Sequence, residues 1–162
     1  MKKTITRGQA IILYNQMATM AFGHLAEDML ESAMANFLEL GKVVEPYTKM
    51  VEELGKRLFD GIDEQTIRDY NALSQKAERD AVKAAFPELY ELVQKQNKVD
   101  AALRAKEIEV ELVEVDKKEF VKGILKAKPT IANIVFDLFE PMFKEEKKAE
   151  TTDFSELDDL MK

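Results

Sequence analysis

The chain has 162 residues, 46% of them hydrophobic, and a formal net charge of −7, which is typical of one folded domain with its own core. It contains no cysteine, which excludes disulfides, thiolate zinc sites and cysteine nucleophiles and fits a reducing compartment. An acidic chain without a basic stripe argues against nucleic acid as a partner.

The acidic excess is confined to two segments. Residues 107–120 carry a net charge of −4 and residues 144–162 a net charge of −3, while the other positions balance. We therefore expect a protein partner, either a second copy or a host protein. No window approaches the run of about 18 apolar residues that crosses a membrane, and the first residues lack the apolar run of a secretory signal, so we expect no membrane association.

The first elements are a short β-prone run at residues 4–6 and a helix. Thr6 and Gln9 have the spacing of a capping box, in which the hydroxyl and the amide satisfy free N–H groups at a helix start. Apolar residues then recur every three or four positions. Gly23 is predicted to end this helix, because glycine accepts the left-handed conformation at a helix end.

Residues 25–59 form the most regular stretch of the sequence. A single apolar stripe with spacings of three or four predicts one amphipathic helix of roughly 50 Å. Its members are Leu25, Met29, Ala33, Phe37, Leu40, Val44, Tyr47, Val51, Leu54 and Leu58. Pro46 lies inside the stripe, yet the phase is the same on both sides, which favours a continuous kinked helix over two helices with a loop. We expect this helix to be an internal spine that other helices cover, rather than a coiled-coil seam.

Two further helices are predicted after the turn at Asp60-Gly61. The third helix begins after its cap, Asp63, and runs through Ile67 as far as Ala81. Phe86-Pro87 marks the next boundary, since a residue before proline avoids the α region and proline suits a first turn. The fourth helix extends through Leu103.

After this helix the apolar residues recur at every second position. Ile108, Val110 and Leu112 alternate with glutamates, as in a strand with one buried and one wet face. Val113 and Val115 fall on the opposite parity, so the strand is bulged or ends there. Because one strand cannot satisfy its own backbone, we predict that residues 108–112 pair with residues 4–6.

Two apolar helices close the domain. Asp116 and Glu119 are predicted to cap a short helix that bears Phe120, Val121 and Ile124. Residues 130–143 are predicted to form the most apolar helix of the chain, part of the core. The fold class is therefore mainly α: a helical bundle (residues 1–143) around one long kinked helix, with a minimal two-stranded β element.

Little in the sequence indicates catalysis. His24 is the only histidine and is assigned a capping or half-buried role, because a general base or a zinc site needs partners that are missing nearby. The acidic pairs Glu27/Glu31, Glu52/Glu53 and Asp158/Asp159 indicate solvated faces rather than a divalent metal site. Phosphate loops and nucleophile elbows are absent, so we predict no enzyme, no cofactor and no metal.

Five methionines permit two interpretations, ordinary core packing or an adaptable binding surface, of which core packing is favoured. They are Met17, Met20, Met29, Met34 and Met50.

The acidic tail, residues 144–162, is the best candidate for binding. Its anchors Phe154, Leu157, Leu160 and Met161 stand among acidic residues, a pattern that suits a short helix docked in a partner's groove. The alternative is a disordered, solubilising end.

The order of features resembles a family of small phage-encoded proteins of unknown function. The likeness rests on a helix with Tyr14-Asn15, a long charged helix with Glu45-Pro46 in its middle, a short acidic strand at 107–112 and a closing apolar helix. It implies a phage or prophage setting, in the host cytoplasm or the virion. The favoured hypothesis is a non-catalytic protein-interaction component, structural or assembly-related. The alternative is an inhibitor or adaptor that binds a host protein, and a small-ligand or metal-binding bundle enzyme is the third.

Overall fold

A computed structural model describes residues 1–126 and 136–144 of the chain. Its elements in chain order are β1 (Lys2–Thr6), α1 (Arg7–Thr19), α2 (Glu27–Leu58), α3 (Glu64–Ser74), α4 (Arg79–Ala85), α5 (Pro87–Ala105), β2 (Glu107–Glu111), α6 (Lys117–Lys126) and a 3-10 helix (Phe136–Met142). The predicted class, mainly α with a minimal β element, is confirmed.

The predicted strand pairing is confirmed and extends further than the sequence indicated. β1 and β2 are antiparallel, with Lys2 opposite Glu111 and Thr6 opposite Glu107. The strand ends at Glu111, Leu112 and Val113 continue the alternation as a buried and an exposed residue, and the parity changes at Val115, which is buried. The sheet thus brings the start of the chain against residues more than a hundred positions away.

Helix α2 is continuous from Glu27 to Leu58 and contains Pro46. The two-helix alternative is therefore wrong. The buried residues of α2 follow the predicted stripe at Met29, Ala33, Leu40, Val44 and Tyr47. The stripe omitted one fully buried position, Asn36, and its last members from Val51 onward are half-buried.

Three predicted helix starts are confirmed by their hydrogen bonds. Thr6 and Gln9 form the reciprocal capping box of α1, with Gln9 N–H donating to Thr6 Oγ1 at 3.1 Å. Asp63 accepts a hydrogen bond from Gln65 N–H at the start of α3, and Asp116 accepts one from Glu119 N–H at the start of α6.

Helix α1 ends earlier than predicted. Its last residue is Thr19, and the N–H of the capping residue Met20 donates to the Met17 carbonyl at 3.2 Å. Gly23 lies in the turn that follows. After this turn Leu25 enters the core before α2 begins.

The predicted third helix is two helices. α3 ends at Ser74, whose hydroxyl donates to the Asn71 carbonyl, and the Leu73 carbonyl accepts from Lys76 and Ala77 in the turn. The break allows α3 and α4 to fold onto each other. Tyr70 and Val82 consequently enter one cluster with Leu89 and Tyr90 of α5.

The closing helix, predicted over residues 130–143, is not an α-helix in the part that the structure describes. Residues 136–142 form a 3-10 helix with Pro141 inside it, and residues 130–135 lie outside the described part of the chain. The Val115 N–H donates to the Met142 carbonyl at 2.9 Å, and Lys144 N–H donates to the Val115 carbonyl at 3.0 Å.

The main core lies where α1, the first half of α2, the sheet, α6 and the 3-10 helix meet. Its most fully buried side chains include Leu13, Met17, Leu40, Leu112, Phe120 and Phe139. A second cluster fills the far end between α3, α4 and the start of α5. The long helices α2 and α5 connect the two clusters. A third, smaller cluster contains Ile11 of α1 with Val44 and Tyr47 of α2.

Candidate interaction surfaces

The anchors predicted in the tail, Phe154, Leu157, Leu160 and Met161, lie outside the described residues, as does everything after Lys144. The other candidates are placed. His24 is exposed in the turn before α2, and the glutamates of the two pairs on α2 are exposed as well.

The methionines divide between the two interpretations. Met17 and Met29 are buried in the core, where Met20 also packs, whereas Met34 and Met50 are 40% and 39% exposed. Core packing accounts for the first three of these side chains, and the remaining two contribute apolar area to the surface of α2.

A polar cluster fastens α2 to α5. The Tyr47 hydroxyl donates to Asp100 Oδ1, and Arg104 Nε donates to Tyr47 Oη at 3.0 Å and to Asp100 Oδ2 at 3.1 Å. Burial, reinforced by the hydrogen bond to Asp100, raises the pKa of Tyr47, and the hydrogen bond to Tyr47 raises the pKa of Arg104. Each polar group of the triad has a partner within it, so we assign it a structural role.

A cleft of about 530 Å³ lies between β1, the start of α1 and the 3-10 helix. Its lining combines apolar and charged side chains: Lys3, Thr4, Ile5, Gln9, Ile12, Leu138, Glu140, Pro141, Phe143 and Lys144. Of these residues, Ile5 of the sheet and Phe143 are buried.

Helix α6 has one buried and one exposed face. Phe120, Gly123 and Ile124 pack inward. On the outer face, Lys118 and Lys122 stand next to Val121 and Leu125, and Leu125 is 56% exposed. A shallow groove runs along this face, lined by Lys117, Lys118, Val121, Lys122, Leu125 and Lys126. We call these six residues the α6 face.

The α6 face is basic in an acidic protein. Helix α6 carries four lysines and one glutamate, whereas the whole chain has a net charge of −7. The lysine spacing of four was visible in the sequence at Lys118, Lys122 and Lys126. The net charge of residues 107–120 hides this short stripe, because Lys117 and Lys118 fall inside that acidic segment and Lys122 and Lys126 fall beyond it.

A second exposed apolar surface lies on the first half of α2. Leu30, Met34 and Leu38 are one turn apart; Met34 is 40% and Leu38 63% exposed, whereas Leu30 is half-buried and packs against the main core. Helical geometry places this row roughly opposite Asn36, the most deeply buried polar residue of α2. We call these three residues the α2 row. In the sequence this row is masked by the longer buried stripe beside it.

The predicted acidic face of β2 is present. Glu107, Glu109 and Glu111 are all exposed, and Glu111 Oε1 accepts a hydrogen bond from the amino group of Met1 at 2.8 Å. This face therefore presents a short row of carboxylates to solvent beside β1.

Known proteins provide no assignment for these surfaces. No protein-family model matches the sequence, and neither curated proteins nor solved structures include one significantly similar to it. Within residues 1–126 and 136–144, no group of three or more metal-binding side chains gathers. None of the helices described combines the length and apolar content needed to cross a membrane.

Proposed function

We propose that the protein is a non-catalytic interaction component that associates with copies of itself through the α2 row. The observation that carries this proposal is the exposure of Met34 and Leu38, at 40% and 63%, one turn apart on a regular helix. Removing large apolar side chains from water is the main driving force of association, and adjacent exposed ones on one helix face form a patch rather than scattered contacts.

The charges around the α2 row suit a second copy packed antiparallel. Glu27 precedes the row and Lys42 follows it. When two copies of α2 cross in opposite directions at Met34, Lys42 of each copy, which pairs with Glu39 of its own chain at 2.9 Å, comes near Glu27 of the other. A two-fold contact of this kind is the commonest form of self-association.

The phage setting rests on the resemblance noted in the sequence. Self-association supports a structural or assembly-related role within that setting, since such parts work as multiple copies. A virion location and a place in the host cytoplasm are both compatible with this role.

Light scattering on the full chain tests the proposal. We expect a mass above that of one chain, which falls to one chain in Leu38→Glu because a carboxylate at the contact costs desolvation. Met50→Glu is the control, because Met50 is an exposed apolar residue (39%) on a different side of α2. A monomeric wild type, or an oligomer unchanged in Leu38→Glu, would contradict self-association through this row.

A second candidate function is an inhibitor or adaptor that binds a host protein. The observation that favours it is the α6 face, whose lysines repel those of a second α6 and therefore select an acidic partner. A stable monomer in light scattering favours this candidate over the assembly part.

A further inference from the structure

The α6 face combines an exposed apolar side chain with a row of lysines. Leu125 is 56% exposed, and Lys118, Lys122 and Lys126 flank it along one side. An apolar centre bordered by one sign of charge is the arrangement by which a surface selects an oppositely charged amphipathic segment.

The chain itself contains a segment of that composition. Residues 153–161 carry four acidic side chains and no basic one, and they include the four apolar residues Phe154, Leu157, Leu160 and Met161. The pattern mirrors the α6 face, with apolar side chains next to charges of opposite sign.

The described chain reaches Lys144 beside the start of α6. Lys144 N–H donates to the Val115 carbonyl at 3.0 Å, and Lys117 Nζ lies 3.9 Å from Glu140 Oε2 and 5.7 Å from the centre of the Phe143 ring. The eight residues 145–152 span at most roughly 26–29 Å when extended. Helix α6, with 10 residues, is about 15 Å long, so every part of the α6 face is within reach.

We infer that residues 153–161 dock on the α6 face of the same chain. The lysines pair with the carboxylates of this segment, and Val121 and Leu125 are covered by its apolar residues. Individual surface ion pairs are weak, but a short connection holds the two surfaces at a high effective concentration, which favours the intramolecular contact over one between chains. The inference involves α6 alone and is independent of the α2 row.

Disulfide trapping in the full chain tests this contact. The protein has no cysteine, so no native thiol competes with the introduced pair. Cysteines are introduced at Leu125 together with Leu157 or Leu160. The matched control joins Met50→Cys to the same tail positions, since Met50 is also exposed but lies on α2, outside the α2 row. We expect at least a tenfold faster bond within the monomer for one of the α6 pairs than for the control pairs.

Charge reversal supplies the second measurement. Lys118→Glu with Lys122→Glu should slow the bond at least fivefold, and adding Asp158→Lys with Asp159→Lys should restore it. Both lysines are exposed, so circular dichroism should show an intact fold. Rates equal to the control, bonds that form between chains only, or a rate indifferent to the charge reversal would each overturn the inference. The α2 variant Leu38→Glu should leave the rate unchanged, so this inference and self-association can fail separately.

Discussion

The side-chain amide of Asn36 exchanges two hydrogen bonds with the backbone of Val113. Asn36 Nδ2 donates to the Val113 carbonyl at 2.8 Å, and Val113 N–H donates to Asn36 Oδ1 at 2.6 Å. The amide thereby takes the place of a neighbouring strand just after β2 ends. It fixes the long helix to the sheet at a residue that is itself fully buried.

Asn36→Ala should destabilise the fold by about 2–4 kcal/mol, because it removes both bonds and leaves two backbone groups of Val113 without their partner. Chemical denaturation followed by circular dichroism measures the loss. Asn15→Ala on the exposed side of α1 is the control and should cost no more than about 0.5 kcal/mol. A similar loss in both variants would show that the exchange with Val113 contributes little.

Gly123 is required for the close approach of α6 to Leu25. A Cβ atom at this position would lie 2.5 Å from Leu25 Cδ2 and 3.3 Å from the His24 carbonyl oxygen. Gly123→Ala should therefore lower the stability by about 1–2 kcal/mol, although alanine is the better helix former. Thermal unfolding measures the change. Gly23→Ala, where a Cβ would meet nothing within 4 Å, should be neutral, and an equally neutral Gly123→Ala would refute the packing argument.

Pro46 interrupts the hydrogen bonds of α2 without ending the helix. Pro46→Ala restores an N–H that can donate to the Lys42 carbonyl and removes the ring's clash one turn back, so the stability should rise by about 1–3 kcal/mol. The denaturation midpoint reports the gain, with Glu45→Ala as the exposed neighbouring control. A Pro46→Ala variant less stable than the wild type would mean that the packing of α2 depends on the proline.

Stability should fall at alkaline pH through two buried tyrosines. Burial raises the pKa of both Tyr47 and Tyr70, so the folded chain favours the neutral phenols. The stability that the two neutral tyrosines contribute is complete below the pKa of about 10 that tyrosine has in the unfolded chain. It is lost as the pH rises through their higher pKa values in the folded chain. Unfolding curves between pH 8 and 11 should be less steeply pH-dependent in Tyr47→Phe and Tyr70→Phe, and least in the double variant. An unchanged pH profile in the double variant would exclude these side chains as the cause.

The sequence by itself determined the elements whose signal is local. The capping box at Thr6 and Gln9, the apolar stripe of α2 and the alternation at Ile108 and Val110 all follow from neighbours a few residues apart. Even the pairing of β1 with β2 could be predicted, because an unpaired strand must find a partner and few candidates exist.

The tertiary structure alone decided what depends on distant residues. Asn36 is polar and breaks the stripe, so its burial follows only from its exchange with Val113, which is 77 positions away. The split between α3 and α4 likewise depends on which side chains reach the second cluster. Exposure of Leu38 and of Leu125 depends on which helices cover which faces, and local periodicity does not contain that information.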